Sequence, residues 1–223
     1  MDSRHFVIIG NGISGITFAR HLRKGNAKAR ITVISGESPY FFSRTALMYV
    51  YMGQMKWEHT QPYEPHFWKK NRIDLLQGWV KKISFDSKSL IFDSGETLNY
   101  DVLVVATGSK PAFFGWPGQD LKGVQGLYTK QDLETMEAIT SSPMERAVIV
   151  GGGLIGIEMA EMLTSVMRDD EIQAILIAPP HALGVIRKSL PADIRQRLLA
   201  EIDKDYAGRT AIEIGQMLQQ YQL

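Results

Sequence analysis

Phe6-Val7-Ile8-Ile9-Gly10-Asn11-Gly12-Ile13-Ser14-Gly15 decides the fold. Phe6 to Ile9 is wholly apolar and rich in β-branched side chains, which suits a parallel strand buried on both faces. Three glycines follow at the spacing of the dinucleotide fingerprint. Gly10 permits a tight turn out of the strand, Gly12 leaves no side chain in the way of a pyrophosphate, and Gly15 lets the next helix pack closely on the sheet. The helix start offers unpaired N–H groups and a positive dipole end to phosphate. Ile16 to Arg23 has helical spacing, Gly25 and Asn26 end it, and Ile31 to Ile34 is the next strand. The unit is β-α-β with a right-handed crossover.

Downstream, Ile73 to Val80 leads into a strand pair, Lys82–Phe85 and Ser89–Phe92, and Asp93-Ser94-Gly95-Glu96 is a hairpin turn. Tyr100 to Ala106 is a further buried strand ending in Thr107-Gly108. Residues 39–72 are dense in aromatics and prolines and read as loops and short helices over a ligand, with ordinary core packing as the alternative. Residues 110–145 read as a connector with a helix over Thr129–Ile139. Ala147 to Val150 then repeats the opening theme before Gly151-Gly152-Gly153-Leu154-Ile155-Gly156 and a helix over Ile157–Met167. Ile172 to Ala178 is a strand stopped by Pro179-Pro180. Helices are expected from Ser189, with Pro191 in the first turn, to about Asp203, and over roughly Thr210–Leu218.

Composition narrows the chemistry. The chain has 223 residues, 44% hydrophobic and 22% charged, as in ordinary globular proteins. Its 25 basic and 24 acidic residues give a net charge of +1, so the overall charge implies neither nucleic acid nor an anionic membrane as partner. It contains no cysteine. Disulfides, thiolate metal sites, iron–sulfur clusters and redox dithiols of this chain are therefore excluded. The start has no secretory signal pattern, and no stretch approaches the roughly 18 apolar residues of a membrane helix. A cytoplasmic location is the expectation. His59 and His66, with Glu58 and Glu64, have no ligand-pair spacing, so no metal is expected. No Gly-x-Ser-x-Gly elbow is present.

Glu37 lies just past the second strand, near the roughly 20-residue offset at which an acid binds a ribose hydroxyl; a solvated loop glutamate is the alternative. The first fingerprint, Ser38-Pro39-Tyr40-Phe41-Phe42-Ser43-Arg44, Ala106-Thr107-Gly108, and the second glycine cluster with Glu158 occur in one order. That order resembles the pyridine nucleotide–disulfide oxidoreductase superfamily, on its ferredoxin-reductase and NAD(P)H-nitrite-reductase-like side, over about residues 5–167. The resemblance implies an α/β, doubly wound Rossmann-like FAD-binding domain over 1–115. A connector would span 116–145 and a truncated second Rossmann-like, NAD(P)-binding unit would start over 146–170. It further implies that Gly10, Gly12, Ser14 and Gly15 hold the FAD pyrophosphate and Glu37 the adenosine ribose. Arg44 would lie near the flavin phosphates or ring, Val80 would meet adenine through its backbone, and Thr107-Gly108 would pass close to FAD. Gly151, Gly153 and Gly156 would hold NAD(P)H, with Glu158 facing the nicotinamide–flavin contact. Thr45 and Met48 depart from the proline and lysine that the family often has after this arginine. No acid lies between Ala174 and Leu183, so the choice between NADH and NADPH stays open.

From about Glu171 the chain instead resembles the end of the bacterial host-attachment protein family. That resemblance rests on Ile175-Leu176-Ile177-Ala178-Pro179-Pro180, Leu183-Gly184 with Arg187-Lys188, and Glu201-Ile202-Asp203-Lys204-Asp205. It implies a strand plus helical tail of different origin over 171–223, with a junction near Thr164–Asp170. A half-built second sheet would need cover from the tail helices or another subunit. The function expected is an FAD-dependent oxidoreductase passing electrons from NAD(P)H through flavin to an external acceptor. The alternative is a truncated or fused, non-catalytic nucleotide-binding module. A plain NAD-dependent dehydrogenase is disfavoured by the second fingerprint. No side chain is required as acid or base, and none is assigned that role.

Overall fold

The opening apolar run forms β1 (His5–Ile9), and the glycine turn delivers the chain into α1 (Ile13–Gly25) and then β2 (Arg30–Ser35). The computed structural model describes residues 3–112, 117–142, 146–151, 153–166, 173–178, 180–189, 192–196, 198–203, 213, 216, 217 and 219. The chain divides into two units, one of residues 1–47, 55–110 and 128–131, the other of 48–54, 111–127 and 132–223.

After β2, two 3-10 turns (Arg44–Ala46, Trp57–Thr60), α2 (Leu47–Tyr51) and α3 (Pro65–Lys70) precede β3 (Ile73–Gln77). An antiparallel meander of β4 (Val80–Ser84), β5 (Ser89–Phe92) and β6 (Thr97–Asn99) leads to β7 (Val102–Val105). The first unit's main sheet is wholly parallel in the order β3-β2-β1-β7, so the fingerprint strand lies inside it, paired on both sides.

The twofold period of β1 sorts its side chains between two layers. Phe6 and Ile8 face α1 and join Ile16, Ala19, Ile31, Val33, Phe41, Trp68 and Ile73 in one core. Val7 faces the meander and packs with Ile34, Leu90, Phe92 and Tyr100 in the other. Phe41 and Trp68 are thus buried core residues; Tyr63 and Phe67 stack with ring centroids 4.4 Å apart beside them. The aromatic stretch read as covering a ligand owes much of its composition to closing this core. α1 also begins earlier than expected, at Ile13, because Gly12 is its N-cap and Gly15 falls in its first turn.

His5 is a buried polar residue on the meander face. Its Nε2 lies 2.8 Å from Thr32 Oγ1, and its backbone N–H donates to Asp101 Oδ2 at 2.6 Å. Burial, and then the charge of Arg30, hold its imidazole below the ordinary value of 6.5.

In the second unit, α4 (Lys130–Thr140) leads towards β8 (Arg146–Val150), α5 (Leu154–Val166) and β9 (Gln173–Ile177). α6 (Pro180–Ser189), α7 (Ala192–Gln196) and β10 (Leu198–Ile202) follow. The three strands are parallel in the order β10-β9-β8. This corrects the helix expected from Ser189 to Asp203: residues 198–202 pair with β9 as a strand. Leu, Ala and Glu favour a helix locally, but the open edge of β9 offers ladder hydrogen bonds that outweigh that weak preference. Pro180, expected to stop a strand, also opens α6, where a missing N–H costs nothing. Pro191 and most of the helix expected over 210–218 lie outside the described residues. Met217 of that segment is buried with Ile175, Ile177 and Ile202, so part of the tail covers one face of the sheet. Ala178 and Leu183 form a separate core with Ile149, Ile157 and Leu198.

Two measurements check this fold. Gly15→Ala places a methyl against the Gly10 carbonyl and should cost about 1–3 kcal/mol in urea unfolding, as overpacked sites do. His5 is neutral in the fold below its ordinary pKa of 6.5. The unfolded chain therefore binds the proton first, and the stability linked to His5 is complete above that value and lost as pH falls through the folded value. Unfolding curves across this range should show a shallower loss for His5→Gln than for the parent chain.

Candidate functional site

The site is built at the carboxyl end of β1, where the chain must leave the sheet and enter a helix within three residues. Gly10 has φ +114°, a region closed to most side chains, and its N–H donates to Ile34 O at 2.8 Å. A Cβ here would collide with the carbonyl of Ala106. The first glycine thus serves the turn and also the close approach of the strand end at Ala106-Thr107. Ala106 N–H donates to Ile9 O at 2.8 Å, fixing that approach.

Gly12 differs from its neighbours. A Cβ on it would meet nothing within 4 Å, so protein packing gives no reason for glycine here. The absent side chain leaves room for something else. No side chain caps the start of α1, so its first-turn N–H groups have no capping oxygen from Gly12. Open space in front of such N–H groups fits a phosphate in charge and in hydrogen bonding. Gly15 closes the arrangement, since a Cβ on it would strike the Gly10 carbonyl and come within 3.3 Å of Ile8 Cγ2. Ser14, the fourth residue assigned to this cradle, is exposed in the first turn of α1.

The second cluster repeats the turn and the helix contact, while a Cβ on Gly151 itself would meet nothing within 4 Å. Gly151 has φ +120° and its N–H donates to Ile177 O at 3.2 Å; a Cβ on Gly153 would meet nothing within 4 Å. A Cβ on Gly156 would strike the Gly151 carbonyl and come within 3.6 Å of Ile149 Cγ2. Glu158 is half-buried on the early part of α5.

Glu37 and Arg44, assigned separately from sequence, are partners. Arg44 Nη1 donates to Glu37 Oε1 at 3.0 Å and Nη2 to Oε2 at 2.7 Å, a fork-to-fork pair. Nη1 also donates to the carbonyl of Tyr128. The Lys130 N–H donates to Glu37 Oε1 at 2.9 Å, and Gln131 Nε2 donates to the Glu37 carbonyl at 2.9 Å. The guanidinium lies over the rings of Tyr128 and Phe42, with Cζ 4.4 and 5.2 Å from their centroids. A carboxylate accepts about four hydrogen bonds, so Glu37 keeps acceptor capacity on Oε2 for one further hydroxyl. Arg44 is held within the protein by this pair, and its side chain remains partly exposed.

Tyr128, Lys130 and Gln131 were not singled out by sequence. Nothing local marks them, because their role comes from contacts with residues at 37, 44 and 109. Tyr128 Oη lies 3.0 Å from Ser109 Oγ, beside Thr107-Gly108. The Ser109 hydrogen bond, helped by Arg44, holds the Tyr128 phenol below its ordinary value. Gly108 itself has φ +71°. Val80 opens β4 with its side chain against the meander core. Thr107 is exposed just beyond β7.

A cavity of about 380 Å³ at the other end of α1 has Arg20, Arg23, Lys24, Lys70 and Arg72 in its walls. Arg23 is spent there on the carbonyls of Asn26, Ala27, Asn71 and Arg72, capping helix ends. Near His66, Glu64 Oε2 is 3.1 Å from Nδ1 on an exposed surface. Among the described residues no group of three or more His, Asp or Glu side chains gathers around a common point, and no helix is long and apolar enough to cross a membrane.

Residues 4–205 match the family described as pyridine nucleotide-disulphide oxidoreductase. The chain belongs to that family. The match runs across the junction expected near Thr164–Asp170 and includes β9 and β10. Among curated relatives, the ferredoxin reductase component of chlorobenzene dioxygenase from Cupriavidus sp. (strain PS12) is 35% identical over 157 residues, 70% of this chain and 38% of that protein. The assimilatory nitrate reductase electron transfer subunit of Bacillus subtilis is 30% identical over 206 residues, 92% of this chain and 26% of that protein. The chain therefore spans well under half the length of these relatives. An NAD-dependent persulfide reductase from A. fulgidus shares the fold with a TM-score of 0.76 at 24% identity, over 89% of this chain and 39% of that one. Members of the family use FAD and NAD(P)H. The disulphide in the family's description has no counterpart here, since the chain has no cysteine.

The Glu37–Arg44 pair ties residues 128–131 to the end of β2. Arg44→Met should destabilise the chain by about 1–2 kcal/mol, between exposed and buried ion pairs. It should also speed amide exchange at Lys130, whose N–H donates to the same carboxylate. Unchanged Lys130 protection would mean the pair does not hold this segment.

Proposed function

We propose that this chain supplies the FAD site and a nicotinamide-nucleotide site of an oxidoreductase that passes electrons from NAD(P)H to an external acceptor. The observation that carries the reading is the repetition of one construction. In both glycine clusters the third glycine packs on the carbonyl of the first, and the space over the middle one is open. Two such cradles in one chain suit two dinucleotides, and the order of the motifs supports FAD in the first.

In this reading the N–H groups at the start of α1 and the open space at Gly12 receive the pyrophosphate, with Ser14 beside them. Gly15 and Gly10 keep the helix close enough for its positive end to act. Glu37 offers its remaining acceptor to the adenosine ribose, while Val80 and Thr107-Gly108 border the cofactor through their backbone. Gly151, Gly153 and Gly156 do the same for the nicotinamide nucleotide, with Glu158 on the helix that follows. FAD, when bound, supplies the hydride-accepting and electron-donating chemistry, and the chain's part is to bind, align and keep out water. No dithiol relays the electrons. The relatives' descriptions as ferredoxin reductase component and nitrate reductase electron transfer subunit support a protein electron carrier or a reductase partner as acceptor. The non-catalytic alternative has one observation behind it. Val148 and Val150, 45% and 39% exposed, line the outer strand of the second sheet, as in a sheet built to be continued.

The absorbance spectrum of the purified chain, reconstituted with FAD and then mixed anaerobically with NADH or NADPH, tests the proposal. Flavin bands that bleach with one nucleotide support it and name the donor; bands that never bleach leave the non-catalytic module. Gly12→Ala should lower the unfolding free energy by no more than about 1 kcal/mol, the loss of a glycine N-cap, since its methyl meets nothing. The same methyl should weaken FAD at least about tenfold, about 1.4 kcal/mol, if the space is the pyrophosphate's.

A further inference from the structure

Trp79 is 63% exposed, an unusual state for the largest apolar side chain, and it sits between two assigned positions. Its chain neighbour is Val80. Its indole rests on Gly36, the residue before Glu37: a Cβ on Gly36 would run into Cδ2 and Cε2 of the ring and lie 2.7 Å from Cε3. Gly36 thus makes a seat for one face of the indole, and most of the ring remains in solvent.

The seat is rigid. Gly78 N–H donates to Ser35 O at 2.9 Å, tying the residue before Trp79 to the end of β2. Asp93 N–H donates to the Trp79 carbonyl at 3.0 Å, tying its other side to the turn after β5. A Cβ on Gly78 would come within 2.9 Å of Phe92 Cδ1, so this backbone is also pinned from the core. An aromatic surface held in advance, with one face covered by protein and the rest free, is what stacking on a flat heterocycle requires, because little ordering remains to be done on binding.

We infer that Trp79 is the platform for the adenine ring of the dinucleotide in the first site. The inference rests on the FAD reading given above and adds a residue to it. Glu37 would receive the ribose at one end of the seat, and the indole would carry the base beside it. Stacking tolerates any purine face, so the platform adds affinity for the adenosine half and leaves the flavin half untouched.

The test uses the full chain and two probes, FAD and ADP. Base–aromatic stacking is worth roughly 1–3 kcal/mol, so Trp79→Ala should raise the FAD dissociation constant about tenfold, and Trp79→Phe about two- to threefold. Gly36→Ala, which unseats the indole, should weaken FAD as much as Trp79→Ala and add nothing in the double variant. ADP, which lacks the flavin, should quench tryptophan emission in the parent chain and not in Trp79→Phe. If the parent binds FAD and Trp79→Ala binds it within twofold, the platform is refuted while the FAD site stands. The same holds if Trp79→Ala lowers the urea midpoint as much as it lowers affinity, or if ADP competes with FAD without quenching. A parent chain that takes up no FAD overturns the site and the platform together.

Discussion

The carbonyl of Gly10 lies hard against Gly15 of α1, and much of the remaining structure follows from that close approach. Ala106 lies against the α-carbon of the same residue from the other side. A helix can come this close to a strand end only where neither partner has a side chain. The closeness has two results. It holds the apolar face of α1, through Ile16 and Ala19, against Phe6, Ile8, Ile31 and Val33, which makes the larger of the first unit's two cores. It also brings the start of the helix, which no side chain caps, to the open space in front of Gly12.

The same construction around Gly151 and Gly156 governs the second unit, on a smaller sheet. There three strands are described, and the described buried residues include a small cluster under α6 and another that recruits Met217. The first unit has a four-stranded parallel sheet with a three-stranded meander on the other face. The difference in cover shows in β8, whose Val148 and Val150 stay exposed while His5, Phe6, Val7 and Ile8 of β1 are buried. Apolar surface at the margin of a parallel sheet is costly in water and marks a place where further structure fits.

Electrostatics in the first unit are local. With charges nearly balanced over the chain, binding specificity cannot come from net attraction and has to come from placed groups. Glu37 is one such placed group. Its carboxylate is held by a fork from Arg44 and an amide from Lys130, so its orientation is fixed by the protein itself. Arg44 is itself held between the faces of Tyr128 and Phe42. A pre-oriented acceptor loses little entropy on binding, and the segment 128–131 is the element that supplies this order.

The sequence by itself determined the elements whose cause is local. The fingerprint turn, β1, β2, the β5–β6 hairpin and the second glycine cluster follow from short-range rules: a glycine where φ must be positive, twofold alternation, apolar runs. The positive-φ turn at Gly10 and the packing of Gly15 on it were legible for the same reason, since both depend on neighbours a few residues away. What only the tertiary structure decided involves long-range contact. The contacts of Glu37 with residues 128–131 depend on a chain segment that returns from far along the sequence. The seating of Trp79 on Gly36 needs β2 and β3 to be paired in register before the two residues can meet. The strand at 198–202 has the composition of a helix, and it is extended because the edge of β9 was waiting for a partner. Propensity is worth tenths of a kcal/mol per residue, and a ladder of hydrogen bonds with buried side chains exceeds it.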